Sequence, residues 1–219
     1  MNDIDKRLKR RAEMLIEHHL PKEVMPSAYY MAGGCFRKER INDIDIYPVG
    51  HPLGFDVRTT LVGVNSVLTY KSKNVHTYAI DGMLVQCCRY YKQTLEELVE
   101  SFDFNLCQVG VTVVDGQVTD IYHSKAYELF DEFGKVFYTG SEFPLGSLLR
   151  HGKYSEYQSK REYRDDQVHI LSDICKRGYT SYTDFLSQLD SIDLGYRPEN
   201  RKQLQNIFHA LQKKGDANG

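Results

Sequence analysis

Apolar residues recur along the first part of the chain with two different periods. Between Asp5 and Leu20, the positions Leu8, Ala12, Leu15, Ile16 and Leu20 gather one apolar stripe, with charged residues between them. That spacing predicts an amphipathic helix. A connector with two prolines, Pro21 to Ser27, follows. The run Ala28–Ala32 then predicts a short strand entering a Gly33-Gly34 turn, Cys35 to Glu39 a turn of helix, and Asp43–Pro48 a second strand. His51 to Asp56 reads as loop, and Val57 to Val64 is compatible with helix or strand.

Three β-favouring runs come next: Ser66 to Tyr70, Val75 to Ile80 and Met83 to Tyr91. Lys71-Ser72-Lys73-Asn74 and Asp81-Gly82 separate them. An Asp-Gly pair between such runs is a strong hairpin signal, so an antiparallel meander is expected. Thr94 to Ser101 predicts a helix with Thr94 as N-cap and Glu97 completing a capping box. A loop or helix start and a strand ending at Asp115-Gly116 fill Phe102 to Val114, with a further strand over Val118 to Tyr122. Beyond Ser124 the helical period dominates: Lys125 to Phe133, Leu145 to Tyr157, Asp166 to Arg177, Tyr182 to Leu189 and Arg201 to Lys213, with Gly178 and Gly215 as C-caps. The expected organisation is an α+β core over 1–122, a helical portion over 123–214 and a disordered tail over 215–219.

Composition narrows the function classes. The 219 residues carry a formal charge of −2, with 41% apolar and 26% charged residues, as in an ordinary globular protein. A globally basic nucleic-acid binder is excluded, while local basic patches are not. No apolar run reaches the roughly 18 residues of a membrane span. The charged start, Asp3 to Glu17, does not read as a signal peptide. The cysteines (Cys35, Cys87, Cys88, Cys107, Cys175) contain no C-x-x-C pair, which argues against a zinc site or disulfide framework and for a reducing, cytoplasmic setting.

The candidate chemistry lies between the two short strands near residue 40. On a strand, residues i and i+2 point to one face, so Asp43 and Asp45 project together while Ile44 and Ile46 face the core. Two adjacent carboxylates disfavour each other's ionisation unless a cation joins them, and magnesium is the hard cation suited to oxygen ligands. Paired glycines let a backbone approach phosphate closely. Magnesium and a nucleoside triphosphate are therefore the expected cofactor and substrate.

Gly33-Gly34-x-x-Arg37 followed by Asp43-x-Asp45 resembles the DNA polymerase beta-type nucleotidyltransferase superfamily. Within it, the pattern looks like the head domain of class II CCA-adding enzymes and bacterial poly(A) polymerases. Phe102-Asp103-Phe104-Asn105 sits where those enzymes carry an Arg-Arg-Asp-Phe segment, and the preceding helix is similar to small nucleotidyltransferase-like phage proteins. The resemblance implies an α+β fold of the nucleotidyltransferase type, with a short mixed sheet, helices behind it and a metal–NTP cleft in front. It implies that Asp43 and Asp45 hold two Mg2+ ions and that NMP passes to an acceptor hydroxyl, a tRNA or other RNA 3′ end being favoured, with release of pyrophosphate. It further implies that Gly33 and Gly34 cradle phosphate, that Arg37 neutralises it, and that Asp103 is the nearest candidate for a third catalytic acid. Lys38, standing where the head-domain pattern has Asp, is expected beside the nucleotide.

Other chemistry-bearing residues fit plainer roles. Arg150, Lys153 and Tyr154 would share a helical face able to meet a triphosphate or acceptor. His18, His19 and His76 are expected to be solvated, and Cys87-Cys88 to place one thiol inside and one half-buried. The third-carboxylate strand offers Gln86 instead of an acid, and no Glu-Asp-x-x-Arg segment follows the core. A non-catalytic nucleotidyltransferase-fold binding module, or a transferase acting on a protein or small molecule, is the alternative reading.

Overall fold

The computed structural model describes residues 2–37, 41–50, 54–59, 64, 66–187 and 201–216. It divides into two compact units, Met1–Thr139 and Gly140–Gly219. The first is α+β and the second helical.

The first unit opens with helix α1, Asp3–His19, capped by Asn2, whose side chain accepts from the Asp5 N–H while Asp5 bonds back to Asn2. Strands β1 (Ala28–Ala32), β2 (Asp43–Pro48), β3 (Ser66–Lys71), β4 (Val75–Ile80) and β5 (Met83–Cys88) follow. Helix α2 (Leu95–Glu100), strands β6 (Val109–Val114) and β7 (Gln117–His123) and helix α3 (Lys125–Phe133) complete it. Among the described residues the strands form one seven-stranded sheet in the order β3-β4-β5-β2-β1-β6-β7. Only the β2–β5 pair in that order is parallel, so the sheet is mixed. Two Asp-Gly turns close hairpins with both residues at positive φ: Asp81 (46°) with Gly82 (85°), and Asp115 (50°) with Gly116 (77°). This is the twist-matching turn expected of the pair.

Both faces of the sheet are covered near its centre. On one face Tyr29, Met31, Ile44, Ile46, Val85, Cys87, Val109, Val111 and Val113 join Leu8, Ala12 and Leu15 of α1 in one buried cluster. On the other, Tyr30, Ala32, Tyr47, Val75 and Cys88 join Leu95, Leu98 and Val99 of α2. Cys87 and Cys88 are therefore both buried, because each points into a covered face; the expectation of one half-buried thiol does not hold. Strand β5 stops at Cys88 rather than Tyr91, although the Arg89 N–H still reaches Asn74 O one step past the last register pair. Thr94 does cap α2, accepting from the Glu97 N–H at 3.1 Å, but Glu97 returns its bond to the Gln93 N–H instead of to Thr94. Half of the segment expected over 57–64 lies outside the described residues, and 57–59 form neither helix nor strand.

In the second unit, helix α4 (Pro144–His151) passes into a 3-10 segment over Gly152–Tyr157. Helix α5 spans Lys160–Arg177, six residues earlier than expected, because Ser159 and Glu162 form a reciprocal capping box hidden in a charged run. Helices α6 (Tyr182–Ser187) and α7 (Arg201–Asp216) follow, and Tyr179, Tyr182, Phe185 and Phe208 stack edge-to-face and tilted about one another. Gly215 lies inside α7, and 217–219 fall outside the described residues. Among the described residues no helix is long and apolar enough to cross a membrane.

Candidate active site

Strand β2 alternates as its sequence demands: Asp43 and Asp45 are half-buried, while Ile44 and Ile46 are fully buried on the α1 face. Both carboxylates consequently point to the α2 face. Parallel pairing places Asp43 opposite Leu84 and Asp45 opposite Gln86. The Gln86 amide donates from Nε2 to Asp43 Oδ2 at 3.2 Å.

The glycine turn borders this pair. Antiparallel pairing of Met31 with Ile46 carries β1 past Asp45 and into Gly33. Gly33 has φ +88°, and a Cβ there would sit 3.9 Å from Asp45 Oδ2. A side chain at this position would be strained and would face the carboxylate. The Gly33 N–H is already committed to Val109 O at 2.9 Å. Among the described residues, the N–H groups of this turn that lack an acceptor are those of Gly34 and Cys35, at the start of a 3-10 turn over Gly34–Phe36. Gly34 gives room to Arg37, whose guanidinium folds back over the turn: a Cβ on Gly34 would meet its Nε and Nη2 at 3.6 Å, and Nε donates to Gly34 O at 3.3 Å.

Three residues take supporting roles that a reading of the sequence does not assign. Arg11, on the flank of the α1 stripe, donates to Arg37 O at 3.1 Å and to Cys35 O at 3.4 Å, pinning the segment after the glycines. Gly110 allows Ala32 and α2 to approach: a Cβ there would lie 2.8 Å from the Ala32 Cβ and 3.0 Å from Leu95 Cδ1. Gln86 is the third. A half-apolar helix edge was a faint signal for Arg11; the other two depend on which strands become neighbours.

Among the described residues, the thiols and the phenol nearest the pair are poor nucleophiles. Burial pushes the Cys35 and Cys88 thiols well above their usual range, and the negative charge of Asp45 pushes them further. Tyr47 is raised for the same first reason. These groups stay neutral beside the carboxylates.

The remaining candidates take other places. Asp103 is buried between α2 and the 3-10 turn Asn105–Cys107, with its carbonyl accepting from the Thr139 N–H at 2.9 Å. Among the described residues no three His, Cys, Asp or Glu side chains gather to hold a metal, so Asp103 does not complete a triad with Asp43 and Asp45. Lys38 lies outside the described residues. In the second unit, Arg150 is half-buried on α4, Lys153 is exposed and Tyr154 is buried. Tyr154 is turned inward while Lys153 stays exposed, so the three do not present one common face.

His76 is not solvated but 3% exposed, and it faces away from the carboxylate pair. It lies opposite Cys87 in the β4–β5 register, whereas Thr77 lies opposite Gln86. Its Nδ1 bonds to Asp56 at 2.9 Å, and Asp56 also accepts from the Tyr78 hydroxyl and, at 3.0 Å, from Arg89 Nη2. Partial burial pushes the Asp56 carboxyl up, but the bonds from Tyr78, His76 and Arg89 outweigh this and hold it below the ordinary carboxylate range.

No protein-family model matches the sequence. No curated protein matches it either. Among solved structures, the chain is similar to a Thermotoga maritima CCA-adding enzyme complexed with tRNA, at 12% identity and a TM-score of 0.47, over 94% of this chain and 52% of that one. It is also similar to a CCA-adding enzyme in complex with CTP (12% identity, TM-score 0.42, 97% and 57% covered). A third is the Bacillus stearothermophilus CCA-adding enzyme in complex with CTP (12%, 0.37, 87% and 49%). This chain thus spans about half the length of these three proteins. The likeness is coarse and assigns no residue a role.

Proposed function

We propose that the protein is a magnesium-dependent nucleotidyltransferase that moves NMP from an NTP to an acceptor hydroxyl and releases pyrophosphate. One observation carries this reading: Asp43 and Asp45 share a sheet face at the mouth of a turn where Gly33 takes positive φ and leaves room beside Asp45. Two carboxylates with no third His, Cys, Asp or Glu gathered to them among the described residues suit magnesium, which takes one or two protein carboxylates and completes its octahedron with water and phosphate oxygens. The residues present therefore fit the ion. When bound there, magnesium would supply charge neutralisation at the α-phosphoryl group and lower the pKa of an attacking hydroxyl.

The chain's own groups supply the rest. Asp43 and Asp45 would hold the ion and orient it toward the glycine turn. The Gly34 and Cys35 N–H groups would donate to phosphate oxygens, a role expected of Gly33 and Gly34 but closed to Gly33 by its bond to Val109. Arg37, with a planar fork of donors, would neutralise triphosphate charge at the same turn. Arg11 would keep that segment in place. An RNA 3′ end is the favoured acceptor, by the resemblance of the Gly-Gly and Asp-x-Asp segments.

The reading is tested by incubating the protein with Mg2+ and each α-labelled NTP, with and without total RNA, beside the Asp43→Ala/Asp45→Ala double variant. Label on RNA in the wild type alone supports the reading and names the base. Label on the protein or a small acceptor keeps the chemistry and changes the acceptor. NTP binding with no transfer in any lane moves the protein to the class of nucleotide-binding modules.

A further inference from the structure

The Asp43 and Asp45 side chains project from one strand face about 7 Å apart along the chain. Without a cation, each carboxylate depends on donors from its surroundings, and for Asp43 the donor among the described residues is Gln86. Its backbone lies opposite Asp45 on the neighbouring parallel strand, while its side chain reaches along the sheet to Asp43 Oδ2 at 3.2 Å. The amide thus gives Asp43 a donor from beside Asp45 and brings no charge of its own.

That neutrality matters. A lysine or arginine here would neutralise the pair permanently and exclude a metal ion. A glutamate would add a third negative charge to a pair that already repels. An amide donates to a carboxylate, and its three side-chain torsions let it turn away when a stronger ligand for the oxygen arrives. We propose that Gln86 stands in for the cation at Asp43 in the metal-free protein: it holds the Asp43 carboxylate until a divalent ion takes that oxygen from it. The inference rests on the reading of this pair as a magnesium site. Gln86 is on this account a positioning residue whose bond competes with the metal.

The competition is measurable without nucleotide or turnover. Thermal unfolding of the full chain is followed in EDTA and in saturating MnCl2, and Mn2+ affinity is measured by electron paramagnetic resonance. The variants are Gln86→Met, which keeps length and shape but cannot donate, and Gln86→Glu. In EDTA, Gln86→Met is expected to melt about 3–8 °C below wild type, the loss of a hydrogen bond to a charged group in a chain of this size. In MnCl2 the two are expected to melt within about 1 °C, and the variant to bind Mn2+ about fivefold more tightly. Gln86→Glu is expected to bind Mn2+ at least about tenfold more tightly, because the third carboxylate adds charge.

An equal loss of melting temperature in EDTA and in MnCl2 would mean that Gln86 is merely structural and would overturn the proposal while leaving the metal site intact. Unchanged Mn2+ affinity in both variants has the same consequence, and Gln86→Glu keeps the question answerable if Gln86→Met does not fold. If wild type shows no Mn2+ binding or shift at all, the magnesium reading falls, and the stand-in role falls with it.

Discussion

Asp56 and Asp43 serve opposite faces of the same sheet and differ in what surrounds them. Asp56 accepts from an imidazole, a phenol and a guanidinium, and two of those donors, His76 and Tyr78, are buried. Asp43 accepts, among the described residues, from the Gln86 amide. An acid met by three donors is part of the packing: it satisfies groups that the fold has desolvated. An acid met by one neutral amide, with a second carboxylate two residues away, keeps capacity for a ligand. The difference teaches that a carboxylate's role is read from its neighbours. It is not read from its burial, since both residues are half-buried.

The contrast breaks if the two acids can be exchanged in their effects. The largest expected effect is on chemistry. Asp43→Asn or Asp45→Asn should lower NMP transfer at least about 10^3-fold, the scale of losing a charge-stabilising group. The same substitutions should leave the urea unfolding midpoint almost unmoved, because removing one carboxylate relieves repulsion. Asp56→Ala should do the reverse. It strands His76, Tyr78 and Arg89 without their acceptor and should cost about 3 kcal/mol in urea unfolding, with transfer retained at temperatures where the protein stays folded. Transfer lost in proportion with Asp56→Ala would erase the distinction.

Gly110→Ala sharpens the comparison from the carboxylate face. Its new methyl would press on Ala32 and Leu95, and its third neighbour, Met31 O at 3.1 Å, is backbone that cannot swing aside. A loss of about 2 kcal/mol in chemical unfolding is expected, together with lower NTP affinity, because Ala32 leads directly into the Gly33 turn. Full stability in this variant would mean that α2 is free to shift, and that the α2 face is softer than the α1 face.

The smallest effect lies in pH. The Asp56 carboxyl titrates lower in the folded chain than in the unfolded one, where about 3.9 is usual. Its contribution is therefore complete above that value and fades as pH falls through the folded one. Urea unfolding between about pH 5 and pH 2 should show a steeper acid loss for wild type than for Asp56→Asn. Superimposable slopes would mean that its three donors do not discriminate the ionised form.

Much of this was legible in the chain. The bounds of β1, β2, β4 and α3 follow from residue period and caps, and the Asp-Gly pairs at 81 and 115 announce their hairpins. Where the reading failed, two local signals competed. The charged run 160–166 hid the start of α5 beneath polar residues, although Ser159 and Glu162 carried the cap. His76 looked solvated because a lone histidine on a strand says nothing of the loop that will cross it. Arg150, Lys153 and Tyr154 looked like one face, but packing draws Tyr154 inward while Lys153 stays exposed.

What the sequence determined by itself is local: that Asp43 and Asp45 share a face, that Gly33 and Gly34 turn the chain, and that the C-terminal portion is helical. These follow from side-chain period and from the φ that glycine tolerates, which act within a few residues. What the tertiary structure alone decided is adjacency. The order β3-β4-β5-β2-β1-β6-β7 sets Gln86 against Asp43, 43 positions away, brings His76 to Asp56, and seats Gly110 on Ala32. Strand neighbours are chosen by the burial of both sheet faces at once, a sum over the whole unit that no single segment carries.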